Sequence, residues 1–276
     1  MSDGRASVAA ALAGARVRGV ARLDAQLMLA RLMTTTRTWL IAHDDAPLGD
    51  AVAARWADWL ERRSGGEPLA YLLGEKEFRG LLLEVTPAVL IPRPETELLV
   101  DWADALLRQG TGREAVLDLG TGSGAIALAV KHEHPRSRVV ATDASRDALA
   151  VARSNARRLS LAVEFVEATW WKGLEGRRFD LVLVNPPYVG EGDPALADLR
   201  HEPRLALTPG GDGLGAFQAI VAQAADHLRT DGWFVFEHGF DQATPVRRLL
   251  DDAGFVDTET RHDLAGHPRA TGARWP

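Results

Sequence analysis

A short apolar segment, a glycine-rich turn and an apolar helix follow one another without interruption in the middle of the chain. Ala115–Leu119 reads as a buried strand, the next five residues read GTGSG, and Ala125–Val130 continues as a helix. Glycine lets the backbone turn sharply and approach a ligand closely. A strand that turns directly into a helix is typical of the first unit of a nucleotide-binding α/β sheet. The unit therefore predicts alternating strands and helices, with a ligand site where the strands end.

The next expected strand ends on an acidic residue. Arg138–Thr142 reads as a strand, and Asp143 follows it directly. At this spacing the carboxylate can accept hydrogen bonds from ribose hydroxyls, although Asp is also a preferred N-cap for a helix beginning near Arg146, and the two roles can coexist. The loop reads GTGSG rather than GxGxxG, so it lacks the glycine placement that favours a dinucleotide pyrophosphate. We predict S-adenosylmethionine as the ligand rather than NAD.

A third buried strand is followed by the residues with the most specific chemistry. Phe179–Val184 is the strand, and after it come Asn185, Pro186, Pro187 and Tyr188. The prolines stiffen the backbone, so the Asn185 side-chain oxygen and the Pro186 carbonyl can accept both protons of one NH2 group while Tyr188 packs beside it. We predict that Asn185, Pro186 and Tyr188 are catalytic and that all four residues bind substrate. The alternative is a tight turn after a strand.

Strands and helices alternate from Val116 to the end of the chain. The expected strands lie near 115–119, 138–142, 162–166, 180–184, 232–237, 254–260 and 268–275. No helix separates the last two, which favours an antiparallel hairpin at the edge of an otherwise parallel sheet. The predicted fold class is α/β, a Rossmann-like, seven-stranded sheet of the class I S-adenosylmethionine-dependent methyltransferase type.

The first part of the chain has a different pattern. Residues 6–71 show helical periodicity without strand alternation, and their charges nearly cancel. Two short strand-like pieces separated by Gly80 follow and suggest a hairpin. We predict an N-terminal helical domain that docks a protein substrate over 1–73, a linking β-hairpin over 74–92 and a methyltransferase domain over 93–276.

Composition excludes several classes of protein. The 276 residues include no cysteine, which excludes disulfides, thiolate zinc sites and cysteine nucleophiles. A net charge of -6 argues against a protein that neutralises many phosphates, so a nucleic acid is not the favoured direct substrate. No apolar stretch is long enough to span a membrane, and the start at Met1–Arg5 is a poor match to a signal peptide. We expect a cytoplasmic protein.

Two further groups of polar residues have competing explanations. His132, Glu133 and His134 lack the HExxH spacing that puts two ligands on one helix face, and they precede Pro135, so no metal site is predicted. Asp118 is either a buried structural acid held by the loop backbone or a contact to the methionine ammonium group, and the sequence does not favour either explanation.

Together these residues resemble the release factor glutamine methyltransferases of the PrmC/HemK type over most of the chain. The resemblance is carried by EFRGLLLEVTPAVLIPRPETE at 77–97, DLGTGSGAIALA at 118–129, NPPY at 185–188, EPRLAL at 202–207 and EHG at 237–239. The first motif is the specific one, because NPPY occurs in many amino-methylating enzymes. The resemblance implies a helical N-terminal domain, a hairpin and a methyltransferase domain. It also implies that the substrate is the glutamine in the Gly-Gly-Gln motif of peptide chain release factors.

The resemblance also implies roles for individual residues. The cofactor contacts would be Gly120, Thr121, Gly122, Ser123, Gly124, Asp143, Trp170 and Asn185, and the glutamine site would be Asn185 to Tyr188. Composition alone would place Trp170 in the core. Family members often have Asp before this tryptophan, where the present chain has Thr169. Four residues are ordinary hairpin or helix-start residues by sequence and pocket residues only by resemblance: Phe78, Arg93, Glu95 and Glu97. The expected partner is a release factor, and the expected state is a monomer.

Three rival functions are compatible with parts of the sequence. A methyltransferase acting on the exocyclic amino group of DNA or RNA adenine would place a flipped base in the same pocket. An NAD-dependent oxidoreductase would use the glycine loop but not the NPPY corner. A non-catalytic binder could keep the fold without turnover. The charge balance and the helical first domain disfavour the first rival, and the intact set of site residues disfavours the last.

Overall fold

The computed structural model describes residues 6–276, and the expectation for Met1–Arg5 lies outside the described residues. The chain divides into two compact units. The first ends at Glu75, and the second is Lys76–Pro276. All but the first two residues of the predicted hairpin, Gly74 and Glu75, belong to the second unit.

The first unit is helical throughout its described part. Two of its helices have side-chain caps, because Ser7 Oγ accepts from the Ala10 amide and Thr36 Oγ1 accepts from the Trp39 amide. Apolar side chains of these helices form one core. The helices are α1 (Val8–Val17), α2 (Arg22–Leu32), α3 (Arg37–Ala42), α4 (Asp50–Ser64) and α5 (Leu69–Leu73).

A two-stranded hairpin follows, formed by β1 (Glu75–Phe78) and β2 (Leu81–Glu84). The two connecting residues, Arg79 and Gly80, have φ angles of 52° and 75°. Positive φ at both central positions is the type I′ geometry, whose twist matches that of the flanking strands. Gly80 therefore separates the two strands, as the sequence indicates.

The remainder of the second unit is a doubly wound α/β sheet of seven strands in the described residues, in the order β5-β4-β3-β6-β7-β9-β8. Strand β9 pairs antiparallel with both β7 and β8. All neighbours among β3, β4, β5, β6 and β7 pair parallel. The predicted fold class is confirmed. The elements are α6 (Glu97–Leu107), β3 (Ala115–Leu119), α7 (Ala125–Glu133), β4 (Arg138–Asp143), α8 (Arg146–Leu159), β5 (Glu164–Glu167), β6 (Phe179–Val184), α9 (Ala195–Asp198), α10 (Gly215–His227), β7 (Leu228–Glu237), α11 (Ala243–Asp252), β8 (Val256–His262) and β9 (Pro268–Arg274).

Both faces of the central strands are buried, and successive residues enter different cores. Val116 and Leu181 belong to a cluster with residues of α6 and α7, whereas Leu117 and Val182 belong to a cluster with residues of α10 and α11. Side chains alternate across a strand, so a continuous apolar run supplies both layers. No helix in residues 6–276 is long and apolar enough to cross a membrane.

The parallel register brings three strand ends to one edge. Leu119, the last residue of β3, pairs with Thr142 in β4 and with Val184 in β6. Asp143, the last residue of β4, and Asn185, the residue after β6, therefore lie at the same edge of the sheet. This edge is where ligands bind in open α/β sheets.

The substitution Gly272→Ala tests how tightly α6 packs on the sheet. A Cβ atom at Gly272 would lie 2.9 Å from Cζ2 of Trp102 and 3.1 Å from Cγ2 of Val235. Both neighbours are fully buried, so we expect a loss of about 1–3 kcal/mol in the free energy of unfolding, measured by urea titration with tryptophan fluorescence. Gly192→Ala is the control, because its Cβ meets nothing within 4 Å. Equal stability of the two variants would contradict this packing.

Candidate active site

A cavity of about 280 Å³ lies at the edge where β3, β4 and β6 end. Its walls come from loops that are far apart in the sequence. They combine the strand-end loops with the segment that precedes α6 and with part of the connection between β6 and α10. The lining residues fall within 88–96, 120–126, 143–148, 168–170, 185–187 and 203–206.

The glycine loop forms the floor of this cavity. Gly120 lines the cavity and has a φ of 83°, and a Cβ atom there would lie 3.9 Å from the Trp170 ring. Gly124 does not line the cavity; its Cβ would meet Leu128 at 3.0 Å and Ala152 at 3.3 Å. Glycine is thus favoured at 120 by its left-handed backbone, and at 124 by a φ of 87° together with close packing on α7 and α8. The other predicted loop residues line the cavity: Thr121, Gly122 and Ser123.

Asp143 lines the cavity and also fixes the loops around it. Its Oδ2 accepts from the Gly122 amide at 2.9 Å, and its Oδ1 accepts from the Ser145 amide at 2.8 Å. Burial raises the pKa of this carboxyl group, and these backbone donors oppose the rise. The alternative that Asp143 is the N-cap of α8 is wrong, because Ser145 is the cap and its Oγ accepts from the Ala148 amide.

Two adjacent tryptophans have different environments. Trp170 lines the cavity and has a φ of 52°, a left-handed conformation that is uncommon for a bulky residue. Trp171 is buried in the core, where its Nε1 donates to the Ile220 carbonyl at 2.7 Å. Composition alone suggests a core position for Trp170. In the structure, the tryptophan buried in the core is its neighbour Trp171. Thr169, at the position where family members often have Asp, also lines the cavity.

Asn185 is the NPPY residue best placed to meet a ligand. It lines the cavity, and its Nδ2 donates to Thr96 Oγ1 at 3.2 Å. No residue in the described part of the chain donates to its Oδ1, which is not buried. Pro187 also lines the cavity, whereas Pro186 is buried and is not part of the wall. The Asn185 amide therefore presents an acceptor, not a donor, to the cavity.

Tyr188 is directed toward the protein interior. Its hydroxyl donates to Oε1 of Glu237 at 3.1 Å, and it does not line the cavity. Burial and the neighbouring Glu237 raise the pKa of Tyr188. Burial also raises the pKa of Glu237, while the hydroxyls of Thr96 and Tyr188 oppose the rise. The Tyr188 hydroxyl is thus a neutral donor that anchors the NPPY corner.

The backbone of the NPPY corner is held from the other side. Gln242 Nε2 donates to the Tyr188 carbonyl at 3.0 Å, and Gln242 Oε1 accepts from the Gly239 amide at 2.9 Å. A Cβ atom at Gly213 would lie 2.3 Å from the same carbonyl oxygen. Only glycine permits this approach, so the corner is fixed between two loops.

A buried carboxylate, Glu202, connects two segments that line the cavity. Glu202 accepts from the Ile91 amide at 3.0 Å and forms an ion pair with Arg93. The pair joins the segment before α6 to the loop that places Pro203 and Leu205 on the cavity wall. The Glu202 carboxylate is buried while Arg93 is partly exposed, so loss of Arg93 would leave a buried carboxylate without its charged partner.

Only one of the four residues that the resemblance alone places in the pocket lines the cavity. Arg93 lines the cavity. Phe78 is buried in the core, and Glu97 accepts from the Arg79 amide at 3.3 Å. Neither of these residues, nor Glu95, is part of the cavity wall.

Sequence reasoning missed three residues of the site: Thr96, Glu202 and Glu237. Each lies in a motif that carries the family resemblance, at 77–97, 202–207 and 237–239. No local pattern distinguishes them, because their contacts are made only in the folded chain. One sequence feature could have indicated Glu237. It is the last residue of β7, and β7 runs parallel to β6 and ends at the same edge of the sheet.

Asp118 is a structural acid in this arrangement. It is 1% exposed and does not line the cavity. Its Oδ2 accepts from Thr121 Oγ1 at 2.5 Å and from the Ala127 amide at 3.1 Å. These contacts join the end of β3 to the loop and the first turn of α7. Burial, opposed by these donors, raises the pKa of Asp118 to about 7.

One group of side chains has the geometry of a weak cation site. Ligand atoms of Asp104, Glu133 and His134 lie within 4.8 Å of one another. Arg79 already pairs with Glu133, and Arg108 pairs with Asp104. None of the three lines the cavity, so the group is explained by ion pairing at the ends of α6 and α7.

The sequence matches two described families. Residues 95–214 match the family described as "Methyltransferase small domain", and residues 5–74 match "PrmC N-terminal domain". A release factor glutamine methyltransferase of Burkholderia pseudomallei is 50% identical over 264 residues, covering 92% of this chain and 92% of the relative. Its counterpart in Pseudomonas aeruginosa is 46% identical over 258 residues, covering 92% of this chain and 93% of the relative.

Solved structures share the fold at lower identity. A 16S rRNA methyltransferase of Thermus thermophilus, in complex with AdoMet and guanosine, has a TM-score of 0.53 and 21% identity, covering 73% of this chain and 50% of that one. A methyltransferase from Pyrococcus furiosus has a TM-score of 0.53 and 19% identity, and the match covers 80% of this chain and 98% of that one. At these identities the likeness supports the α/β methyltransferase fold alone.

The substitution Asp118→Asn tests the structural role of this acid through the pH dependence of stability. The pKa of about 7 in the folded protein lies above the ordinary aspartate pKa of 3.8. The protonated Asp118 carboxyl group therefore contributes fully to the free energy of unfolding below pH 4. As the pH rises toward 7 this contribution is lost, by up to about 1.4 kcal/mol per pH unit. Asn does not titrate, so the variant should gain stability relative to the wild type across this window. Urea titrations at pH 5, 6, 7 and 8 measure the difference, and a pH-independent difference would contradict the assignment.

Proposed function

The chain belongs to the release factor glutamine methyltransferase family, and we propose that it methylates the side-chain amide nitrogen of the glutamine in the Gly-Gly-Gln motif of peptide chain release factors. One observation carries the proposal. Asn185 presents a free Oδ1 acceptor to the cavity while its Nδ2 is bound to Thr96. An acceptor in this position suits a substrate that brings an NH2 group.

S-adenosylmethionine is the methyl donor of this enzyme, and the cavity residues fit it. Asp143 offers carboxylate oxygens suited to ribose hydroxyls, and the Trp170 ring offers an apolar face suited to the nucleoside. Gly120 lines the cavity beside this ring, with a backbone φ of 83° that glycine adopts readily. We propose that these residues and the rest of the glycine loop hold the donor. The contact from Asn185 that the resemblance implies is part of the same proposal.

When bound, the sulfonium donor supplies an electrophilic methyl group. The protein has to prepare the amide nitrogen, whose lone pair is delocalised into its carbonyl group. Asn185 Oδ1 accepts a hydrogen bond from the amide NH2 group, which favours a pyramidal nitrogen and stabilises the positive charge that develops on it. The Pro186 carbonyl that the sequence suggests as the second acceptor is not on the cavity wall. No general base is needed before attack, because the product nitrogen loses its proton readily. Tyr188 holds the corner in place through Glu237 and remains protonated.

The first unit has a separate role in this proposal. Its sequence matches the "PrmC N-terminal domain" description over residues 5–74. Charges in this region nearly cancel, which suits a protein surface better than a polyanion. We infer that the unit docks the release factor and that the protein acts as a monomer. Its substrate would be met in the cytoplasm, where translation takes place.

The proposal predicts a methylated glutamine on a release factor. With labelled S-adenosylmethionine, we expect a purified release factor to gain one methyl group on the glutamine of its Gly-Gly-Gln motif, located by tandem mass spectrometry. A release factor with that glutamine replaced by alanine is the substrate control. Asn185→Ala should lower the single-turnover rate at least about 100-fold, because the amide is no longer held in its reactive orientation. Circular dichroism checks that the variant folds.

Three outcomes would contradict the proposal. Label on DNA or RNA adenine, with none on the release factor, would favour the nucleic-acid alternative. A wild-type rate for Asn185→Ala would remove Asn185 from the chemistry. A short Gly-Gly-Gln peptide methylated as efficiently as the intact release factor would contradict a docking role for the first unit.

Asp143→Ala tests the cofactor site separately. We expect S-adenosylmethionine binding to weaken by about 1.5–3 kcal/mol, the range for a lost hydrogen bond to a charged group. Isothermal titration calorimetry measures this, and NAD should give no binding signal. Asp147→Ala is the matched control, because Asp147 is exposed on α8 and does not line the cavity. Unchanged affinity in Asp143→Ala would leave the carboxylate with a purely structural role.

A further inference from the structure

We propose that Gln242 is a positioning residue for methyl transfer, because its side-chain amide holds the backbone that carries Asn185. The inference rests on the proposed function, in which Asn185 Oδ1 accepts a proton of the target amide. Gln242 is the N-cap residue of α11 and does not line the cavity. Its effect on the reaction therefore passes through the protein, by way of the NPPY corner.

Both partners of the Gln242 amide are backbone groups, so their polarity is fixed. The Gly239 amide can only donate, and Gln242 Oε1 accepts from it at 2.9 Å. The Tyr188 carbonyl can only accept, and Gln242 Nε2 donates to it at 3.0 Å. A flipped side chain would place two donors together at one end and two acceptors together at the other. The contacts therefore admit one orientation of the amide, which bridges the loop after β7 and the NPPY corner.

Two glycines leave room for this amide. A Cβ atom at Gly239 would lie 3.0 Å from Gln242 Oε1, and a Cβ atom at Gly213 would lie 3.0 Å from Gln242 Nε2. The main chain of Gln242 is also anchored. Its amide donates to the Gly239 carbonyl at 2.9 Å, and its carbonyl accepts from the Val246 amide at 3.1 Å. The side chain is thus held at its base and at both ends of its amide, as a spacer of fixed length.

The NPPY corner is fastened to the protein on either side of its prolines. Before them, Val184 is held in the sheet by its parallel pairing. Pro186 and Pro187 have no N–H group, so neither can donate a backbone hydrogen bond that would hold this stretch. After them, the Tyr188 carbonyl is held by the bridging amide. Because the prolines also stiffen the backbone, a shift of Tyr188 is transmitted to Asn185.

Gln242→Glu keeps the shape of the side chain and removes its donor. The carboxylate can still accept from the Gly239 amide, but it faces the Tyr188 carbonyl with a second acceptor. At pH 8 we expect kcat on a release factor to fall about 10- to 100-fold, because misplacing a reacting group by about 1 Å has this cost, with KM for the release factor within about twofold. Gln242→Met, which is similar in length but has no amide, should lose kcat to a similar extent.

The pH dependence of Gln242→Glu separates positioning from a general loss of stability. A protonated carboxyl group accepts through one oxygen and donates through the other, as the glutamine amide does. Position 242 is half-buried, and burial beside a carbonyl raises the pKa of the new carboxyl group above the usual value of about 4.3. From pH 8 to pH 5 the ratio of its kcat to the wild-type kcat should therefore rise at least about threefold. The ratio for Gln242→Met should stay constant.

Titration of neighbouring groups is common to all of these proteins. The charged or titratable groups around this loop are Asp212, Glu237, His238, Asp241 and Arg269. Every variant retains them, so the ratio to the wild type at each pH removes their own effect on kcat.

Gln109 provides a matched control. Its Nε2 also donates to a backbone carbonyl, that of Ala105, at 3.0 Å, but it follows α6 and does not line the cavity. Gln109→Glu should therefore keep wild-type kcat at every pH. Wild-type kcat in Gln242→Glu at pH 8, a ratio that does not change with pH, or an equal loss in Gln109→Glu would overturn the role of Gln242.

Hydrogen exchange measured by NMR tests the contact without substrate or turnover. In the wild-type protein, the side-chain NH2 protons of Gln242 should exchange with solvent more slowly than those of Gln109. Gln242 is half-buried and bound at both ends of its amide, whereas Gln109 is exposed. The signals are assigned by their loss in the two Glu variants. Equal exchange would overturn the inference. If Gln242 is protected and release factors are not methylated, the proposed function fails while the contact stands.

Discussion

The site depends on the parallel register of β3, β4 and β6. Leu119 pairs with both Thr142 and Val184, so three strands end at one level of the sheet. Backbone hydrogen bonds fix this register, and apolar side chains on both faces prevent a slip of one residue, which would turn each core side chain to the opposite face. The glycine loop, Asp143 and Asn185 therefore meet at one cavity although they are far apart in sequence.

Buried acids convert this alignment into a rigid site. Asp118 ties the glycine loop to α7, Glu202 ties the loop after β6 to the segment before α6, and Glu237 holds Tyr188. Each of these acids accepts a hydrogen bond from a group on another segment. Loss of one of these donors would leave a buried acceptor without it, so these loops move only at a considerable cost. This rigidity suits a reaction that depends on placement more than on acid–base catalysis.

Local patterns in the sequence were sufficient for the fold class and for much of the cavity wall. The strand–GTGSG–helix unit, Asp143 and NPPY are each continuous segments whose strand-end position follows from the apolar run before them. Local patterns failed where the partner is distant. Thr96, Glu202 and Glu237 act across the fold, and Trp170 and Trp171 differ only through the left-handed backbone of Trp170. The edge strand β8 was expected near 254–260 and lies at Val256–His262, because its mostly exposed residues lack the apolar run that marks a buried strand.

A crystal structure of the protein with S-adenosylhomocysteine and a release factor would test the account most directly. The account predicts that the target glutamine enters the cavity with its amide nitrogen within about 3 Å of Asn185 Oδ1. Asn185 Nδ2 should remain on Thr96, and Glu237 should remain on Tyr188. A glutamine side chain bound outside this cavity, or one that meets Asn185 through its carbonyl oxygen with Nδ2 turned toward it, would contradict the account.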